Sequence, residues 1–212
     1  MNRTATIAAV LLAVALGGFS LEITRPAPLI AKAAMPDPAL TGAPPSEGTC
    51  YSCHNAGLND VDGGIFIYPP PSYAPGQTYG IAVALVRPAS GSRWGFEITA
   101  KTSGNQMAGT LDDNNVAVGK QSSGGITYVS QTTQKGFDGT QTDSLGGVFW
   151  TFSWTAPPVG TGPVTFYAAG AACDNDNSAA GDFTYTTSVS SAEGSPTAVE
   201  TTTWGRIKQI YR

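Results

Sequence analysis

The chain has 212 residues, with 11 Lys and Arg against 15 Asp and Glu, a formal net charge of −4, and only 12% charged residues. An acidic balance without a basic cluster excludes nucleic acid and anionic lipid as electrostatic partners. The length suffices for one domain with its own core, and the low charge with abundant Gly, Ser and Thr fits an exported β protein.

Met1-Asn2-Arg3 leads into an apolar run over residues 5–21. Its core, residues 7–16, is short for a membrane span and suits a secretory signal. Ala31-Lys32-Ala33 offers an A-x-A cleavage site, so residues 1–33 read as a signal peptide and the mature chain begins near Ala34. Left uncleaved, the same run is an N-terminal anchor, and membrane contact is expected only through it. The expected location is exported: periplasmic, cell-surface or extracellular. That compartment is oxidising and permits disulfides.

Residues 34–49 are Pro-rich and low in charge, and read as an extended, partly mobile linker. Cys50-Tyr51-Ser52-Cys53-His54 follows at once. C-x-x-C-H is the attachment signature of c-type haem. Two thiols at this spacing reach the two vinyl groups, and the next residue, His54, becomes the proximal iron ligand. His54 is also the chain's single histidine. Two other readings stand beside haem. Cys50 and Cys53 can close as a small disulfide or redox pair. They can also be half of a zinc site, which needs two further ligands where only Cys173 is a good candidate. Residues 50–76 are the haem-attachment segment on the first reading, and end in turns marked by Pro69-Pro70-Pro71-Ser72 and Ala74-Pro75-Gly76.

From Gln77 the signal is β. Tyr79, Ile81, Val83 and Leu85 alternate with small residues. Trp94, Phe96 and Ile98 repeat the pattern, with Glu97 and Thr99 pointing the other way, and Val148, Trp150, Phe152 and Trp154 do the same. Residues 164–169 and 183–187 read as further strands, with weaker candidates at 65–68, 107–111 and 126–129. Short strands separated by turn clusters predict an all-β fold, an immunoglobulin-like β-sandwich over residues 77–190 preceded by a haem-binding loop segment. Residues 191–212 form a C-terminal tail that ends in a mixed apolar and basic stretch.

His54 on one face of a haem leaves the other face to a sixth ligand, and Met107 is the candidate within the predicted domain. Its alternative role is to pack in the core. Cys173 is left over if Cys50 and Cys53 carry haem, and reads as a buried inert residue, with haem ligation, intermolecular pairing or lipid attachment as lesser roles. Asp174, Asp176, Ser178 and Asp182 place oxygens along one loop, which suggests calcium weakly and a polar loop with Asx turns more directly. Hydrolytic and nucleotide chemistry have no carrier in the sequence.

Several stretches resemble a family. Thr41-Gly-Ala-Pro44, Trp94-Gly-Phe-Glu-Ile-Thr-Ala100, Met107-Ala-Gly-Thr110, Phe152-Ser-Trp-Thr-Ala-Pro157, Gly162-Pro-Val-Thr-Phe-Tyr-Ala-Ala169 and Ser178-Ala-Ala-Gly-Asp-Phe-Thr-Tyr185 look like bacterial reelin-like (reeler) domains, and most of all the group called choice-of-anchor V. The resemblance runs over residues 41–187. It implies an exported protein that pairs a C-x-x-C-H segment with an immunoglobulin-like sandwich. The sequence-based expectation is therefore an exported monohaem c-type cytochrome with haem c on Cys50, Cys53 and His54. It would carry electrons to an unnamed redox partner, alone or within a larger assembly. The runner-up is a non-catalytic surface or interaction domain with a Cys50–Cys53 disulfide. A ligand-binding or peroxide-reactive haem protein is a third class, and requires an open sixth position.

Overall fold

The computed structural model describes residues 32–59, 62–88, 92–136, 138–140 and 146–194. The apolar run read as a signal-peptide core and the tail beyond residue 194 lie outside the described residues. Among the described residues eleven strands follow in chain order: β1 (Gly57–Leu58), β2 (Gly64–Tyr68), β3 (Ser72–Tyr73), β4 (Thr78–Val86), β5 (Arg93–Thr102), β6 (Thr110–Asp112), β7 (Val118–Ser123), β8 (Ile126–Gln131), β9 (Gly147–Thr155), β10 (Val164–Cys173) and β11 (Phe183–Glu193). The one helical element among the described residues is a 3₁₀ turn at Cys50–Ser52.

The strands form two sheets. One is ordered β1-β11-β10-β5-β8-β7, with β3 also on β11, and the other β2-β4-β9-β6. Pairing is antiparallel except where β1 and β3 run parallel to β11. The chain is the all-β sandwich that the alternation predicts. Ile81, Val83 and Leu85 of β4 and Trp150, Phe152 and Trp154 of β9 face Trp94, Phe96 and Ile98 of β5 and Val164, Phe166 and Ala168 of β10. Phe96 stacks on Trp150 at 4.3 Å between centroids, and Phe166 meets Trp154 edge-on at 4.9 Å. Each such pair adds about 0.5–1.5 kcal/mol beyond the area it buries.

The tryptophan nitrogens on β9 are satisfied. Trp150 donates to the Gly139 carbonyl at 2.7 Å and Trp154 to the Ala108 carbonyl at 2.9 Å. The second bond requires Gly109, which sits at φ +75°, where a Cβ would come within 2.2 Å of the Thr155 carbonyl oxygen.

The outer face of the larger sheet departs from the simple alternating reading. Glu97 and Thr99 point away from the core, as the pattern predicts, and Lys101 shares their face, yet all three are buried. Residues 34–49 lie over Glu97 and Lys101, while Thr99 donates to the Thr127 carbonyl at 2.8 Å. The Leu40 amide donates to Glu97 at 2.6 Å, and Lys101 reaches both the Pro44 carbonyl at 2.9 Å and the Glu47 carboxylate at 2.5 Å. Tyr128 and Thr41 donate their hydroxyls to the same carboxylate, at 2.7 and 2.6 Å. The stretch read as a linker is thus a strap laid over a polar sheet face. It binds through side chains that alternate with the core row of β5.

Glu97 lacks a cation of its own within this network. Burial, with Glu47 and Asp37 nearby, outweighs the donors Leu40 and Gln121 and pushes its carboxyl from 4.5 up to about 8. Between these values the folded chain holds a proton that the unfolded chain has released. Stability therefore falls as pH rises from about 4.5 to about 8 and flattens above. Thermal unfolding of wild type against Glu97→Gln checks this. The variant is expected to lose the decline over that interval and to be the more stable protein at pH 9. Parallel pH profiles for the two would contradict the assignment.

Candidate functional site

The C-x-x-C-H segment is shaped by its own backbone. Thr49 caps the 3₁₀ turn by accepting from the Tyr51 amide at 3.2 Å, and the Cys53 and His54 amides both return to the Cys50 carbonyl, at 3.1 and 2.9 Å. The turn points Cys50 into the protein, where it packs with Ala169, Ala171 and Cys173 on the outer face of β10. Cys53 and His54 face a cleft of about 500 Å³ at the edge of that sheet.

The opposite side of the site comes from one hairpin. Cys173 ends β10, Asp182 immediately precedes β11, and the loop between them closes next to the turn. The Ala56 amide donates to the Asp182 carbonyl at 3.2 Å, and β1 then pairs with the start of β11. These contacts bring His54 to the hairpin. Its Nδ1 lies 2.6 Å from Asp182 Oδ2 and 3.7 Å from Cys173 Sγ. Asp182 is 2% exposed, and its other oxygen accepts from the Asp174 amide at 3.2 Å. One imidazole nitrogen, one thiol and one carboxylate thus lie within 4.8 Å of one another.

The electrostatics keep the thiols protonated. Burial first, then Glu97, pushes Cys50 up to about 12. Burial first, then Asp182, raises Cys173, and burial with Asp37 raises Cys53. All three cysteines are free. The arrangement is not that of a nucleophile and base. A relay needs the nucleophile on one imidazole nitrogen and the carboxylate on the other, whereas here both neighbour Nδ1.

This geometry corrects the haem reading. Thioethers to one haem require both cysteine sulfurs to meet the same porphyrin edge, yet Cys50 is 9% exposed and turned into the sheet. The proposed sixth ligand is at the other end of the molecule. Met107 bridges to Lys101, eight residues along β5 from Arg93, the residue paired with Cys173. At the rise of an extended strand that is about 26 Å. Met107 packs against the core, and its sulfur accepts from the Thr127 amide at 3.4 Å. The described residues form a nearly helix-free sandwich, which is not a cytochrome fold. The haem c and electron-transfer expectations are corrected accordingly.

The calcium reading is corrected as well. Asp174 and Asp176 accept from the Asp176 and Ser178 amides at 3.1 and 2.7 Å, so the oxygens close Asx turns within the loop. Asp182, the residue that matters most to the cluster, was legible only as part of that loop. The available signal was the odd cysteine and an aspartate flanking one hairpin in a chain with a single histidine.

No family model and no curated protein matches the chain. Among solved structures, the human F-spondin reeler domain (fragment 1) is 17% identical, with a TM-score of 0.42, over 63% of this chain and 89% of that one. The Reelin-N domain of F-spondin is 19% identical, with a TM-score of 0.43, over 64% and 88% respectively. Both are reeler domains.

Alkylation of the native, reduced protein tests the placement of the turn. Cys53 is expected to react well before Cys50, and Cys50 only when the chain is unfolded, as followed by peptide mass spectrometry. Equal rates at the two positions would show that the turn does not bury Cys50.

Proposed function

We propose that the chain is an exported, non-catalytic interaction module of the reeler kind, whose contact surface is the outer face of the β2-β4-β9 sheet. The observation that carries this is a row of exposed rings. Phe149 is 70% exposed, Tyr68 58% and Phe66 47%. Phe66 and Phe149 flank Ala84 across three strands, and Tyr68 flanks Ala82. The rings of Phe66 and Phe149 thus border a trough about 10 Å wide. Its floor is Gly80, Ala82 and Ala84, and nothing lies within 4 Å above Gly80. Exposed apolar patches of this kind mark interaction sites in soluble proteins. The apolar leader over residues 5–21 supports the exported location.

The occupant is a second copy of the chain. The outward positions of these three strands carry no charged side chain. A protein of net charge −4 would oppose its own copy through any acidic surface, and this face lets two copies meet without that repulsion. Rings beside a small-residue trough are also self-complementary when two faces meet about a twofold axis. Three rings on a small-residue floor make a weak contact, of the kind that gains strength in arrays on a surface.

Sedimentation velocity over a concentration series checks the proposal. Wild type is expected to show reversible dimerisation that Phe66→Ser with Phe149→Ser abolishes while the circular dichroism spectrum is kept. A wild-type chain that stays monomeric at high concentration, or a dimer indifferent to the double substitution, would overturn this occupant.

A further inference from the structure

The cluster at the cleft has a composition that the interaction role does not use. Nδ1 of His54, Sγ of Cys173 and a carboxylate oxygen of Asp182 converge on one point from the C-x-x-C-H turn, the end of β10 and the start of β11. We infer that these three side chains form a zinc-class metal site with its fourth position open to the cleft.

The donor set selects the metal. Imidazole and thiolate suit zinc and its neighbours, whereas calcium and magnesium take oxygen ligands. The spacing is close to what is needed. Bonds of about 2.0–2.1 Å to nitrogen and about 2.3 Å to sulfur set these atoms about 3.5 Å apart in a tetrahedron. The observed separation between His54 Nδ1 and Cys173 Sγ is 3.7 Å. The contact between His54 and Asp182, at 2.6 Å, is a hydrogen bond, and a metal replacing its proton would widen it by about 0.7 Å. The proton balance is simple. The thiol proton leaves to solvent, and the imidazole proton moves from Nδ1 to Nε2 as the metal takes its place.

Three protein ligands leave the fourth position to water or a ligand from the cleft, unlike a closed structural zinc site. Here the open position faces the 500 Å³ cleft, whose wall also holds Cys53 and Arg93. Asp182 is held in place by the Asp174 amide, and the His54 ring by a capped turn, so two of the ligands are orientated before a metal arrives. The sequence alone gave zinc too few ligands because the third lies 128 residues from His54. The site is on the outer face of the β10-containing sheet, opposite the aromatic face, so either assignment can fail without the other.

Cobalt(II) is the probe, added to the reduced full chain. One equivalent is expected to bind with a thiolate-to-cobalt charge-transfer band in the near ultraviolet, and zinc to displace it. The band should be lost in Cys173→Ser, and affinity should fall more than about 100-fold in His54→Ala and Asp182→Asn, while Met107→Leu binds as wild type. In wild type, bound zinc should also protect Cys173 from alkylation, which keeps the test available if a variant fails to fold. Absence of stoichiometric binding would overturn the site. So would a band that survives Cys173→Ser and disappears in Cys53→Ser, because the metal would then sit on the C-x-x-C pair.

Discussion

The buried pair between Lys101 and Glu47 is the constraint on which this molecule is organised. Both groups are almost fully withdrawn from water, at 3% and 8% exposure, so each requires the other. Lys101 belongs to the middle of a sheet and Glu47 to a segment with no regular structure. Their pairing fixes where the N-terminal segment lies. Thr41, Pro44 and Tyr128 complete the hydrogen bonds of this pair, so neither of its two charges is left without a partner. The 3₁₀ turn at Cys50 begins three residues after Glu47. Its position on β10, and with it the direction of His54, follows from the strap.

That dependence explains why strands were more legible than the site. The rows Ile81, Val83, Leu85 and Trp150, Phe152, Trp154 announce a half-buried strand, because period two and large apolar side chains coincide. Glu97 and Lys101 obey the same period, but the pattern does not say what lies over them. What covers them is a separate segment, and the sequence carries no local mark of that contact. β7 was missed for a related reason: Val118-Gly-Lys-Gln-Ser-Ser123 has almost no apolar face and is held by pairing with β8.

The C-x-x-C-H motif shows the limit from the other side. Its residues were found at once, and the chemistry assigned to them was not what the fold supports. A motif states which side chains are near one another along the chain. Here the turn sends Cys50 inward and His54 outward, and the partners that decide the chemistry, Cys173 and Asp182, arrive from a hairpin more than a hundred residues away. The lone histidine was informative, but for its neighbours in space.

The strap is the central claim, and Lys101 tests it most directly. Chemical denaturation of Lys101→Met, beside the double variant Lys101→Met with Glu47→Leu, is the measurement. Removing one partner strands a buried carboxylate and is expected to lower stability by about 3–5 kcal/mol, with Cys50 becoming reactive in the native state. Replacing both should recover most of that loss and protect Cys50 again. A single variant as stable as wild type, with Cys50 still shielded, would show that the pair does not hold the segment in place.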